Sequence, residues 1–135
     1  MFRIYYIIWE LPQFLIGFIL YHILFLNKKV IRVNKENNNY IVIVSCNLNV
    51  SFGLIVFLSN QSTKTTEKHE LGHSKQSRIL GWLYLPLVGI PSVTLNILCR
   101  LGIVDPRNYY KYYPESWADA LGGVKRYAAR TDRTV

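Results

Sequence analysis

The apolar residues of this chain gather into three stretches, 4–26, 40–58 and 79–98, and that uneven spread constrains the fold more than any other feature. Blocks of this length point to a chain partly dissolved in a bilayer, because a small water-dissolved domain spreads its core residues at the periods of amphipathic helices and strands. A length of 135 residues predicts one domain, over 1–124, followed by a flexible basic tail, 125–135. Half of the residues are hydrophobic and only 18% charged, which excludes a disordered polyelectrolyte. The net charge of +8 is read first as membrane topology. Basic and aromatic residues interleave only in the last quarter and no recognised motif accompanies them, so no nucleic-acid partner is expected. A basic binder of nucleic acid or anionic lipid would use Lys125, Arg126, Arg130 and Arg133. Cys46 and Cys99 fit no metal or redox spacing and are expected as reduced thiols.

In the first stretch Glu10 reads as an interfacial residue and Pro12 as a first-turn proline, leaving Leu11 to Leu26 as a transmembrane helix of about 24 Å. Tyr5, Tyr6 and Trp9 would mark one headgroup level, with Lys28, Lys29, Arg32 and Lys35 holding the other end in the cytosol. From residue 28 to 58, β-branched runs punctuated by asparagines predict a three-stranded antiparallel meander, with Gly53 at a bulge or close backbone approach. A polar loop, 59–67, then feeds a helix over 66–78 with Thr65 or Thr66 as its N-cap. A helix over 115–121, stopped by Gly122 and Gly123, closes the domain.

His69-Glu70-Leu71-Gly72-His73 matches HExxH at the start of that first helix. Residues i and i+4 share a helical face, so both imidazoles can reach one zinc ion at about 2.0–2.1 Å. Glu70 is the expected general base, positioned to take a proton from water that zinc acidifies toward a pKa of about 7. The third ligand is expected at Glu115, with Asp119 one turn on to fix the tautomer of a ligand histidine. His22 is the rival ligand, without partner spacing. Zinc suits a His/His/Glu set, and iron, cobalt or manganese also accept it.

A single crossing by 79–98 would put His73 and Glu115 on opposite sides of a bilayer, so the breaks at Pro86, Gly89 and Pro91 predict a broken apolar hairpin. It would be re-entrant, or packed as a buried hairpin against the sheet. The expected fold is therefore an α+β membrane protein of minimal zincin-like design: transmembrane helix, three-stranded sheet, HExxH helix, broken hairpin and Glu-bearing helix.

HELGH followed by Glu115-Ser116-Trp117-Ala118-Asp119 resembles the gluzincin metallopeptidases, in particular the membrane-embedded CAAX prenyl protease and heat-shock membrane protease family. The resemblance implies His69, His73 and Glu115 as zinc ligands and Glu70 as catalytic base, in an integral-membrane peptidase acting on peptide or membrane-protein substrates. The wider pattern, with Trp9 to Gln13, VGIPS and YYPESWADALGGV, is similar to a compact family of bacterial membrane proteins without an established activity. That likeness implies the bacterial inner membrane; the apolar stretches make the lipid bilayer the expected partner, and the basic residues, with Arg78 and Arg100 flanking 79–98, put the site on the cytosolic side. In gluzincins an edge strand before the site pairs with substrate, which assigns Phe52, Gly53 and Leu54 to substrate binding. No arginine or histidine takes the oxyanion-stabilising place, and Tyr109, Tyr110, Tyr112 and Tyr113 are the nearby donors. The alternative is a non-catalytic binding or immunity protein that keeps the fold; the oligomeric state is not set by the sequence.

Overall fold

A computed structural model describes residues 2–126, so 127–135 of the expected tail lie outside the described residues. Two helices open the chain, α1 (Phe2–Trp9) and α2 (Leu11–Leu26), joined at Glu10 with Pro12 in the first turn of α2. Four strands follow: β1 (Val30–Glu36), β2 (Asn39–Val44), β3 (Val50–Phe52) and β4 (Ile55–Ser59). The long helix α3 (Lys64–Leu80) leads into a helical segment made of a 3-10 turn (Gly81–Leu83), a π turn (Leu85–Gly89) and α4 (Ile90–Arg100). A second 3-10 turn (Pro106–Lys111) precedes α5 (Glu115–Gly122).

The sheet corrects the three-stranded antiparallel expectation. Its order is β1-β2-β4-β3, and β2 and β4 pair in parallel from Tyr40↔Ile55 to Val44↔Ser59. The apolar run from Val50 reads as one strand but folds back at Gly53, so β3 and β4 form a hairpin with β3 at the edge. Burial explains the pairing: every residue of β4 is buried, as a strand must be when it lies central and is covered on both faces. Leu24 of α2 packs with Val42, Val44, Ile55 and Phe57 on one face; Ile41, Val56 and Leu58 meet Leu71 of α3 on the other.

The membrane-spanning expectation is also overturned, since no helix among the described residues is long and apolar enough to cross a membrane. The 16 residues of α2 reach about 24 Å against a hydrocarbon core of about 30 Å, and its Gln13, Gly17 and Leu24 are buried. Nor does 79–98 form a hairpin. Its prolines sit inside continuous helix, where the wider π turn, closed by Ile90 N–H to the Leu85 carbonyl, makes room for rings that would clash with a regular α-helical ladder. The return that brings Glu115 back to His73 is made by residues 101–114. The N-cap of α3 is Thr63, whose hydroxyl accepts the Thr66 N–H, rather than Thr65 or Thr66.

Glu10 is not interfacial but fully enclosed, packed with Gln13 around Gly53 and Ser77, and neither of its carboxylate oxygens makes a hydrogen bond of good geometry. Burial lifts its pKa from 4.5 to about 7, against the opposing pull of the Ser77 hydroxyl and the Arg78 charge. The folded chain thus holds this proton more tightly than the unfolded one. The stability this carboxyl contributes is fully present below a pH of about 4.5 and is lost, by about 3 kcal/mol, as pH rises through about 7. Replacing Glu10 by Gln is expected to flatten that fall, read as the denaturant midpoint across this pH range.

Candidate metal centre

The site is built by two helices in backbone contact. A Cβ added at Gly72 of α3 would lie 1.9 Å from the Ala118 carbonyl oxygen, and one added at Gly122 of α5 would lie 2.0 Å from that of Lys68. Only glycine at these two positions lets the helices come this close. The contact brings the α3 face carrying His69 and His73 onto the α5 face carrying Glu115, Ala118 and Asp119, all buried.

Three ligand atoms converge there. His69 Nε2 lies 2.9 Å and His73 Nε2 3.1 Å from Glu115 Oε2, and the two Nε2 atoms are 3.1 Å apart. Tetrahedral ligands at zinc-like bond lengths would be about 3.3 Å apart, so the triangle needs only a few tenths of an ångström of expansion to take an ion. The buried His69, His73 and Glu115 group can therefore hold a metal ion.

Tautomers strengthen the fit. His69 Nδ1 lies 2.7 Å from Asp119 Oδ1, a carboxylate that only accepts. His73 Nδ1 lies 2.7 Å from Gln76 Oε1, and the Gln76 amide is oriented by its own donation to the Pro114 carbonyl at 3.0 Å. Both Nδ1 atoms therefore carry hydrogen, and the neutral rings turn two Nε2 lone pairs onto a carboxylate oxygen. Three acceptors facing one another require a cation between them or an added proton. Asp119 is held in turn by Arg126 Nε at 2.8 Å, and Ser92 of α4 donates to Glu115 Oε1.

Electrostatics follow from this crowding without an ion. Burial works to raise Glu115, but hydrogen bonds from His69 and His73, the His73 charge and the Ser92 hydroxyl outweigh it and hold the carboxyl far below its usual range. Burial works to lower His73, and is outweighed by Glu115 and Glu70, which raise it. Glu70 moves up, driven by burial and by Glu115 against the two histidines.

Glu70, His69, His73 and Glu115 line a cavity of about 580 Å³ whose walls include Ile16, Val50, Phe52, Ile90 and Val93. Of the residues assigned to substrate, Phe52 lines this cavity; Gly53 and Leu54 form the turn into β4, with Leu54 buried. Tyr109 also lines it, paired with Asn96, and its hydroxyl is raised by burial and by Glu115. Tyr110 sets its ring edge-to-face with His69 at 5.2 Å, while Tyr112 and Tyr113 are exposed. His22 is exposed on α2, with Nδ1 2.8 Å from the Phe18 carbonyl, and takes no part. Sequence reasoning missed Gln76 and Ser92. Gln76 lies three residues after His73, one helical turn on, which is the available signal; Ser92 gives none.

Alanine at Gly72 is expected to cost about 3 kcal/mol or more and to reduce metal retention, whereas Ser116→Ala on the exposed side of α5 changes neither. Gln76→Leu is expected to keep the helices together and weaken metal affinity about 10- to 100-fold, read by competition with a chromophoric chelator. No family model matches the chain, and no curated protein and no solved structure is similar to it, so the chemistry of the centre stands on its own geometry.

Proposed function

We propose that this chain is a zinc metallopeptidase, with His69, His73 and Glu115 as ligands and Glu70 as general base. The observation that carries the reading is the convergence of two imidazole Nε2 atoms and one carboxylate oxygen, with the second carboxylate of Glu70 lining the same cavity. A zinc ion bound there supplies Lewis acidity, which polarises a carbonyl and makes water nucleophilic near neutral pH.

The chain's own residues account for the rest of the chemistry. Glu70 accepts the proton of the attacking water as its oxygen bonds to the carbonyl carbon, and returns it to the amine nitrogen as the C–N bond breaks. Burial that raises Glu70 suits this exchange, because a carboxylate with too low a pKa takes up a proton poorly. Asp119 and Gln76 hold the two rings in the required tautomer. Tyr109 is the cavity donor available to a developing oxyanion. The edge strand β3 offers unpaired backbone to an extended peptide, with Phe52 beside the cavity, which supports strand addition as the binding mode.

Elemental analysis of detergent-purified protein is expected to find near one zinc per chain, lost in His73→Ala and Glu115→Ala. Glu70→Gln is expected to retain zinc and to lose peptide hydrolysis by at least about 100-fold. A folded wild-type chain that retains no metal would overturn the reading. Unchanged hydrolysis in Glu70→Gln would remove Glu70 from it.

A further inference from the structure

The polarity of this molecule is distributed inside out. Among the described residues as many polar or charged side chains as apolar ones are buried, while large apolar side chains crowd the outside of α1, α2 and the segment 81–103. On α2 the exposed Leu15, Ile16, Phe18, Ile19, Ile23 and Phe25 sweep about half the helix circumference at 100° per residue. On 81–103, Leu83, Leu87, Ile90, Ile97 and Leu101 repeat every three to seven residues along one outer stripe, while Tyr84, Val88 and Leu95 face inward. The two surfaces are linked through α1, which runs into α2: Trp82 Nε1–H donates to the Ile8 carbonyl at 2.9 Å and Trp9 Nε1–H to the Arg78 carbonyl at 2.8 Å.

We infer that this joined surface is a lipid-facing one, seated in the hydrocarbon of a bilayer with anionic headgroups. Three observations favour a fluid lipid over a second copy or another protein. The apolar area curves round half of α2 and across to α4, whereas a rigid partner covers one patch. Polar atoms on it are turned back into the chain: both indole N–H groups are used internally, His22 Nδ1 meets the Phe18 carbonyl, and Asn27 Nδ2 donates to the Ile23 carbonyl. That is what a medium without hydrogen-bonding capacity demands. Charge is complementary as well. Glu10, the one charged residue of 4–26, is buried, 81–99 carries none, and the exposed cations Lys28, Lys29 and Arg100 follow the C-terminal ends of α2 and α4. Neither helix needs to cross. The surface is a side of the molecule rather than an anchor, and at Ile16 and Ile90 it borders the cavity that holds His69, His73 and Glu115.

The test uses the full chain carrying Trp117→Phe, so that Trp9 and Trp82 report alone, diluted from mild detergent into vesicles of phosphatidylcholine with phosphatidylglycerol. Expected are co-flotation with the vesicles and quenching of tryptophan emission by brominated acyl chains. The exposed pair Ile19→Lys with Ile23→Lys is expected to lower vesicle partitioning at least about tenfold with metal content unchanged, which separates a surface effect from misfolding. Lys28→Glu with Lys29→Glu is expected to weaken binding to anionic vesicles more than to pure phosphatidylcholine. A wild-type chain that floats free with unquenched tryptophans, or that leaves detergent as a discrete dimer indifferent to lipid, would overturn the proposal.

Discussion

The site depends on a close approach of two helix backbones. With hydrogen rather than a methyl group at Gly72 and Gly122, α3 and α5 approach until each reaches the other's carbonyls. Only then do imidazoles from one helix and carboxylates from the other, all short side chains, meet without stretching. The same approach puts Gln76 under the Pro114 carbonyl and Asp119 against His69, so both histidines of α3 are held with the help of α5. A wider spacing would lose these bonds together, because they share one interface.

Helix α3 is buried although its sequence is polar, and its two sides serve different ends. One turns His69, His73 and Gln76 to α5. The other seats Ser74 against Asn39 and the Gly53 carbonyl, and Ser77 against Gln13. Enclosed hydrogen bonds of this kind add little net stability but exclude alternative registers, since any slip leaves several polar groups unpaired. Glu10 is the exception, a carboxyl enclosed without a hydrogen bond of good geometry, whose burial raises its pKa to about 7.

What the sequence makes legible is what local periodicity and ligand chemistry control. HELGH and the later Glu115 with Asp119 can be read because the spacing of four residues belongs to a helix in any context, and because few side chains bind metals. The pairing of the strands cannot be read in this way. Val50 to Ser59 is one apolar run whose division at Gly53 is settled by the parallel pairing of β4 with β2. Pro86 and Pro91 look like breaks, yet a π turn absorbs them. Glu10 looks like a headgroup residue because the residues that enclose it, Ser77 and Arg78, lie far along the chain. Gln76 looks like surface until α5 is in place.

Arg126 reaches the cluster of His69, His73 and Glu115 through a single intermediary. Its guanidinium lies 3.5 Å over the Tyr110 ring while its Nε holds Asp119 Oδ2, and the other oxygen of Asp119 holds His69. The orientation of a histidine early in α3 is thus secured by a cation that follows α5. A fusion, clip or modification near that arginine acts on the His69 side chain itself, although by position along the chain it would pass for a change in the tail.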